Sequence, residues 1–275
     1  MIDLKEAYDF TGQTAVITGG AGVLCSEMVS ALAAHGANVA VLDLKPEQAH
    51  SVLSQKGVDM ARVRIVECDV LDSQMLQQAA GTVTEHFGRI DYLINGAGGN
   101  HPKATTSPEQ PFFGIPSESF EFVLKLNLQG TVLPSQVFGK YMAEHKSGVI
   151  LNISSMNAFR PLTRIPAYSA AKAAVSNFTQ WLAVHLAQEY SANIRVNALA
   201  PGFFMTEQNR FLLTDAESGE LTARGKTIID HTPLARFGEP KDLVGAMFWL
   251  LSPASAFVTG IVVPIDGGFS AFSGV

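Results

Sequence analysis

Short apolar runs alternate with stretches of helical period along most of this chain. Residues 14–18, 37–42, 63–66, 92–95, 148–153, 195–199 and 261–265 read as strands. Helices are predicted over residues 26–35, 46–55, 73–87, 117–138 and 167–190. Strands that alternate with helices imply a parallel sheet covered on both faces. The expected architecture is therefore a doubly wound α/β sheet, with its ligands at the carboxyl ends of the strands. No repeat, low-complexity tract or linker divides the 275 residues, so one domain is expected. Two stretches break the rhythm. Residues 99–116 hold four prolines together with Asn100, His101 and Lys103, and residues 203–240 are mixed polar and apolar. Irregular segments this long in a compact domain read as substrate loops or lids.

Composition narrows the function classes. Hydrophobic residues make up 47% of the chain, enough for a sizeable core, and charged residues only 16%, which suggests apolar surface buried between subunits. The net charge is −6, with no basic run, so a nucleic-acid partner is not expected. The start of the chain carries Asp3, Lys5, Glu6 and Asp9 and lacks a signal peptide's apolar core. No apolar run approaches the ~20 residues of a membrane helix, so no membrane partner is expected. Cys25 and Cys68 lie far apart and suggest neither a disulfide scaffold nor a metal cluster, and the histidines are scattered. A cytoplasmic protein without a metal is the simplest expectation.

The candidate chemistry begins with Tyr168 and Lys172. Residues four apart share a helix face, and an ammonium beside a phenol favours the phenolate, lowering a pKa that is ordinarily about 10. Such a tyrosine can act as a general acid or base. At the other end of the chain, residues 18–25 form a glycine-rich turn between the first strand and the first helix. Glycines there let the backbone approach a pyrophosphate, which a helix N-terminus attracts. Asp43 ends the second strand, where a carboxylate can accept from an adenosine ribose and repel a 2′-phosphate. NAD is therefore expected over NADP. Asp69, after the third strand, reads either as a contact to the adenine edge or as a cap of the following helix.

Taken in order, Thr18-Gly19, Asn95-Gly96-Ala97-Gly98, Asn127, Ser155, Tyr168-x-x-x-Lys172 and Pro201-Gly202 spell out a family. The chain resembles the short-chain dehydrogenase/reductases over nearly its whole length. The resemblance implies a seven-stranded Rossmann sheet, a nicotinamide cofactor and a homotetramer or homodimer, with residues 257–269 resembling a subunit-contact region. It implies that Tyr168 exchanges a proton with the substrate oxygen, and that Lys172 binds the nicotinamide ribose and depresses Tyr168. Ser155 would hold the reacting carbonyl, and Asn127 would hold a water linking Lys172 to solvent. The cofactor contacts it implies are Gly19, Gly22, Val23, Leu24, Asp43, Asp69, Val70, Asn95, Gly96, Ala97, Tyr168, Lys172, Pro201, Gly202 and Thr206. Two departures stand out. Val23 and Cys25 fall where the family's TGxxxGxG turn has its second and third glycines, with Gly22 one residue early. Gly96 replaces the second Asn of NNAG.

A finer resemblance is to the D-mannonate oxidoreductases (fructuronate reductases) of this superfamily. It is carried by residues 19–25, 95–106 and 201–210, and it implies interconversion of D-fructuronate and D-mannonate. A sugar-acid substrate wants a cation for its carboxylate. Asn100, His101, Lys103, Arg160, Arg164, Gln208, Asn209 and Arg210 are the candidates in segments expected at the site's mouth. A gluconate 5-dehydrogenase-like or other polyol enzyme is the alternative within the superfamily. A catalytically silent NAD(H)-binding sensor is the alternative outside it, against which the complete set of Asn127, Ser155, Tyr168 and Lys172 argues.

Overall fold

The computed structural model describes residues 3–205, 210, 213–215 and 218–274. Seven strands run β1 (Thr14–Thr18), β2 (Asn38–Asp43), β3 (Val63–Glu67), β4 (Tyr92–Asn95), β5 (Gly148–Ile153), β6 (Ile194–Pro201) and β7 (Val262–Ile265). They form one sheet of order β3-β2-β1-β4-β5-β6-β7, parallel throughout. The helices are α1 (Leu4–Ala7), α2 (Val23–Ala34), α3 (Pro46–Gln55), α4 (Ser73–Phe87), α5 (Ser117–Leu124), α6 (Gly130–His145), α7 (Pro166–Glu189), α8 (Ala223–Asp230) and α9 (Val244–Leu251). This is a Rossmann-type fold.

Strand alternation explains the two layers of core. Ala15 and Ile17 of β1 pack on one side with Val39 and Val41 of β2, against Met28 and Leu32 of α2, Leu53 of α3 and Met247 of α9. Val16, Ala40 and Leu42 point the other way, against Leu76 and Val83 of α4, Phe138 and Met142 of α6 and Leu182 of α7. With both faces covered, the central strands lose any polar alternation and read as apolar runs.

The chain order reverses between β1 and β4, and the crevice outside that switch point is where such sheets bind ligands. Two features near it differ from the pattern-based expectation. The helix expected over 117–138 is a longer run broken by a π-turn, Lys125–Gln129, between α5 and α6. The extra residue in that turn breaks the 3.6-residue period, so periodicity alone blurs it into a single helix. The 203–240 stretch contains α8 and a parallel bridge between Phe204 and Gly238, so it is partly structured and tied back to the end of β6. No helix among the described residues is long and apolar enough to cross a membrane.

Candidate active site

The crevice is made by a close approach of two strand ends. The Thr18 hydroxyl at the tip of β1 accepts from the amides of Gly96 and Ala97, both at 3.1 Å. Gly19 follows at φ +67°, and a Cβ there would stand 2.9 Å from Ala97 Cα. Only glycine suits both the left-handed backbone and the contact. Gly22 is the N-cap of α2 and offers no side chain to its first turn, so the amide groups around Val23 and Leu24 remain open to an anion. Asp43 leans over this turn. Its carboxylate accepts from Ala21 N and Lys45 N, each at 3.0 Å, which leaves lone pairs for ribose hydroxyls. A bare helix start, a turn without side chains and a carboxylate beyond it fit a dinucleotide.

Beyond β3, Asp69 accepts from Leu71 N at 2.9 Å and closes its own turn. The cap of α4 is Asp72, which accepts from Gln74 N and Met75 N, so the capping reading of Asp69 is corrected. Val70 is buried beside Gly130.

The two departures from the glycine pattern turn out to be one. A Cβ on Gly96 would overlap Cys25 Sγ and stand 2.9 Å from Thr18 O. The Cys25 side chain thus occupies the volume that a larger residue at position 96 would need. Burial pushes the Cys25 thiol up to about 12, so it stays protonated and acts as packing rather than as a nucleophile.

Catalytic candidates gather across β5. Ser154 and Ser155 leave the strand in opposite directions. Ser154 Oγ bonds Ser176 Oγ at 2.7 Å and Lys172 O at 3.2 Å inside the fold, whereas the Ser155 hydroxyl lies on the Tyr168 side, near its phenol. The first turn of α7 brings up Tyr168, which packs with Ala104, Val123, Ala167 and Phe120. Lys172, one turn on, is buried, donates to the carbonyl of Ile153 at 2.7 Å and lies 5.6 Å from the Tyr168 ring centroid. Asn127 sits in the π-turn, where its Nδ2 donates to Gly99 O at 2.7 Å and Val123 O at 2.8 Å. Gly98 fills the gap, since a Cβ there would stand 2.7 Å from Asn127 Oδ1 and 3.4 Å from Lys172 Nζ.

The electrostatics correct one expectation. The Tyr168 phenol is raised rather than lowered. Desolvation raises the phenol above its ordinary value, and the Ser155 hydroxyl opposes that rise. The same burial lowers Lys172 to about 8, and its ammonium is aimed at a backbone carbonyl rather than at the phenol oxygen.

Beneath the site runs a buried polar ladder that sequence reasoning missed. Asn95 Nδ2 donates to Asn152 Oδ1 at 2.8 Å and to Ser135 Oγ at 2.9 Å, and Asn152 donates to Thr179 Oγ1 at 2.9 Å. Asn95 therefore serves the scaffold through its side chain. The signal was available: Asn95 and Asn152 are polar residues at matched register in two apolar strands. Gly202 marks a second close approach, its Cβ position lying 2.7 Å from Asp266 Cα, next to Pro201 at the end of β6.

The substrate candidates are dispersed. Asn100 bonds Thr105 Oγ1, and His101 accepts from Lys103 N and packs on Phe122, while Lys103 is exposed. Arg160 gives its Nε to Ser270 O at 3.2 Å, and Arg210 is exposed. Thr206, Gln208 and Asn209 lie outside the described residues.

A sheet of this order with this constellation defines a nucleotide-dependent oxidoreductase. The chain belongs to the short chain dehydrogenase family, whose model matches residues 13–217. It is 48% identical, over the full length of both chains, to the uncharacterised oxidoreductase UxuB of Bacillus subtilis. A solved structure from Haemophilus influenza, described as a candidate D-mannonate oxidoreductase with bound NAD, superposes with a TM-score of 0.90. The two are 45% identical, with 99% of this chain and 100% of that one covered. A gluconate 5-dehydrogenase from Burkholderia cenocepacia, in complex with NADP and tartrate, superposes at 0.86 with 28% identity, covering 98% and 100%.

Two outcomes test this geometry. Gly96→Ala should cost about 1–3 kcal/mol through overpacking. Part of that loss should return in the Cys25→Ala background, read as a coupling energy in a double-mutant cycle; strictly additive losses would dissolve the pairing. Burial of Lys172 disfavours its charged form, so the cost to the fold is fully present below about pH 8 and fades as pH rises toward 10.5. Urea unfolding should show wild type gaining on Lys172→Met over that window and a flat difference below it. A difference that never varies with pH would contradict the assignment.

Proposed function

We propose that this protein reduces the ketone of D-fructuronate to D-mannonate with NADH and runs the reverse oxidation. The observation that carries the chemistry is the convergence of the Ser155 and Tyr168 hydroxyls in front of the buried Lys172. Substrate and cofactor are supported by the resemblance of residues 19–25, 95–106 and 201–210 and by the bound NAD of the Haemophilus relative. Asp43 adds a physical reason, because its carboxylate repels a 2′-phosphate. Gly19, Gly22, Val23, Leu24 and Asp43 would hold the dinucleotide.

When bound, the cofactor supplies a hydride to the carbonyl carbon. Ser155 Oγ donates a hydrogen bond to the carbonyl oxygen and fixes its direction. Tyr168, whose raised pKa keeps it protonated, gives its proton to the same oxygen as charge develops there. The Lys172 ammonium stabilises the phenolate left behind, and the polar path past Asn127 returns the proton.

We also propose that a second copy of the chain covers the apolar groove of about 780 Å³ between α6 and α7. Phe178 stacks on Trp181 and Trp181 on His185 along its wall, and Trp181 is 56% exposed. An indole this exposed in a chain with so few charges marks a covered surface.

Absorbance at the NADH band decides the first reading. NADH should be consumed with D-fructuronate, and far more slowly with tagaturonate, 5-ketogluconate or NADPH. Tyr168→Phe should lose at least ~100-fold in turnover while NADH affinity stays within about twofold. Consumption only with 5-ketogluconate would move the assignment to a gluconate 5-dehydrogenase. Wild-type turnover by the Phe variant would remove Tyr168 from the mechanism. For the second reading, light scattering should find an oligomer that Trp181→Glu dissociates, and a monomeric wild type would refute it.

A further inference from the structure

A second cavity, of about 320 Å³, opens beside the active-site loops. Four segments wall it. Residues 162–164 lead from Ser155 into α7. Phe203 follows β6 and meets Phe269, beyond β7, at 5.1 Å between ring centroids. One face of α8 and its end contribute Arg224, Ile228 and His231. The cavity thus lies on the same carboxyl edge of the sheet as Ser155 and Tyr168, reached through the loops on either side of them.

Its charge is one-sided among the described residues: Arg164 and Arg224 both line it, with His231, and no described carboxylate does. Neither guanidinium has a hydrogen-bond or ion-pair partner among the described residues. This contrasts with Arg89 and Arg236, which are paired with Asp91 and Asp242 on a surface that is acidic overall. Burial, and then the nearby Arg164 charge, push Arg224 below its ordinary value, so the pair repels. Arg164 also stands at φ +76°, a left-handed conformation that costs free energy for any residue but glycine. Its carbonyl accepts from Thr106 N at 2.8 Å, which ties the 99–116 loop to this strained turn. Two repelling cations, one of them on a strained backbone, beside an apolar wall of Phe203, Ile228 and Phe269, call for an anion between them.

We propose that Arg164 and Arg224 are the receptor for the substrate's carboxylate, an inference that rests on the sugar-acid reading of the site. A planar carboxylate takes paired N–H donors from guanidinium forks. Holding the acid end there lets the hydroxyl chain run toward Ser155 and Tyr168, and a neutral polyol lacks the group that the pair needs. Arg224 was not among the candidates drawn from sequence, since it lies in the irregular 203–240 stretch with no motif around it.

Calorimetric titration of the NADH-saturated protein, which cannot oxidise these alcohols, tests this with D-mannonate, D-gluconate, L-tartrate and the uncharged D-mannitol. Arg164→Asn suits the left-handed backbone while removing the cation, and Arg224→Met removes the other. Wild type should bind D-mannonate well above D-mannitol. Each variant should lose roughly 10- to 100-fold for the acid, the range expected for a lost charge-assisted hydrogen bond. NAD affinity should stay within about twofold, which also reports a folded site. Failure with D-mannonate, alongside arginine-dependent binding of another acid in the panel, would keep the anion receptor and discard the fructuronate reading. Wild type that binds none of the acids, or variants that bind them as wild type does, would overturn the receptor.

Discussion

The approach of β1 to β4 at their carboxyl ends is the constraint from which the rest of the site follows. One hydroxyl, Thr18 Oγ1, accepts two successive amides of the β4 turn and holds the two strand ends at a fixed spacing. At that spacing Gly19 has no room for a Cβ against Ala97, and Gly96 has none against Cys25. The chain must then turn sharply and enter α2 with a glycine N-cap. That places bare amides at the mouth of the crevice, where an anion is attracted. The geometry of this crevice is thus a consequence of backbone packing, and the cysteine that departs from the glycine pattern belongs to the same packing solution.

A second layer of polar contacts sits under the first. Asn95, Asn152, Ser135 and Thr179 are all buried and joined by hydrogen bonds across β4, β5, α6 and α7. Asn95 Oδ1 alone in that group has no partner. A buried unsatisfied acceptor costs about 1–3 kcal/mol, so this ladder is not explained as a source of stability. Its place does explain it: the ladder pins the ends of the two strands from which the Gly96 turn and Ser155 depart. Elsewhere the fold buries an unpaired cation for support, with Arg195 donating to the carbonyls of Leu250, Leu251 and Ser252 at the end of α9. There the helix dipole and the free carbonyls supply the negative partner.

The regular elements were legible because their apolar periods are strong. The bounds of β1, α3, α4, β4 and β5 agree with the ranges read from pattern. Elements set by tertiary contact were not. The apolar run of α9 has no polar face to give it a period, and α8 lies in a stretch whose composition is mixed. Motif residues could be placed on the crevice because an ordered set of short signals fixes topology. The substrate end could not be read this way. Arg160 was an attractive cation by position, but its side chain is taken up by the Ser270 carbonyl. Arg224 comes to the cavity only through the folding of α8 against residues 162–164. Which cation faces a pocket depends on loop packing, and a single sequence does not encode that locally.

The two perturbed groups at the centre share one cause with opposite chemical consequences. Desolvation favours the neutral form of each, so it makes Tyr168 a weaker acid and Lys172 a stronger one. With Lys172 near 8, the lysine is still mostly ammonium at neutral pH, while the phenol is fully protonated. A protonated phenol backed by an ammonium is a donor whose conjugate base is stabilised as soon as it forms. The arrangement therefore suits proton delivery to an oxygen that gains charge during reduction, and it demands little rearrangement when that charge appears. Oxidation requires the phenol to give up its proton first, against the desolvation that raises it. The Ser155 hydroxyl lowers that barrier together with the ammonium, and the proposed mechanism gives the same side chain the task of orienting the substrate.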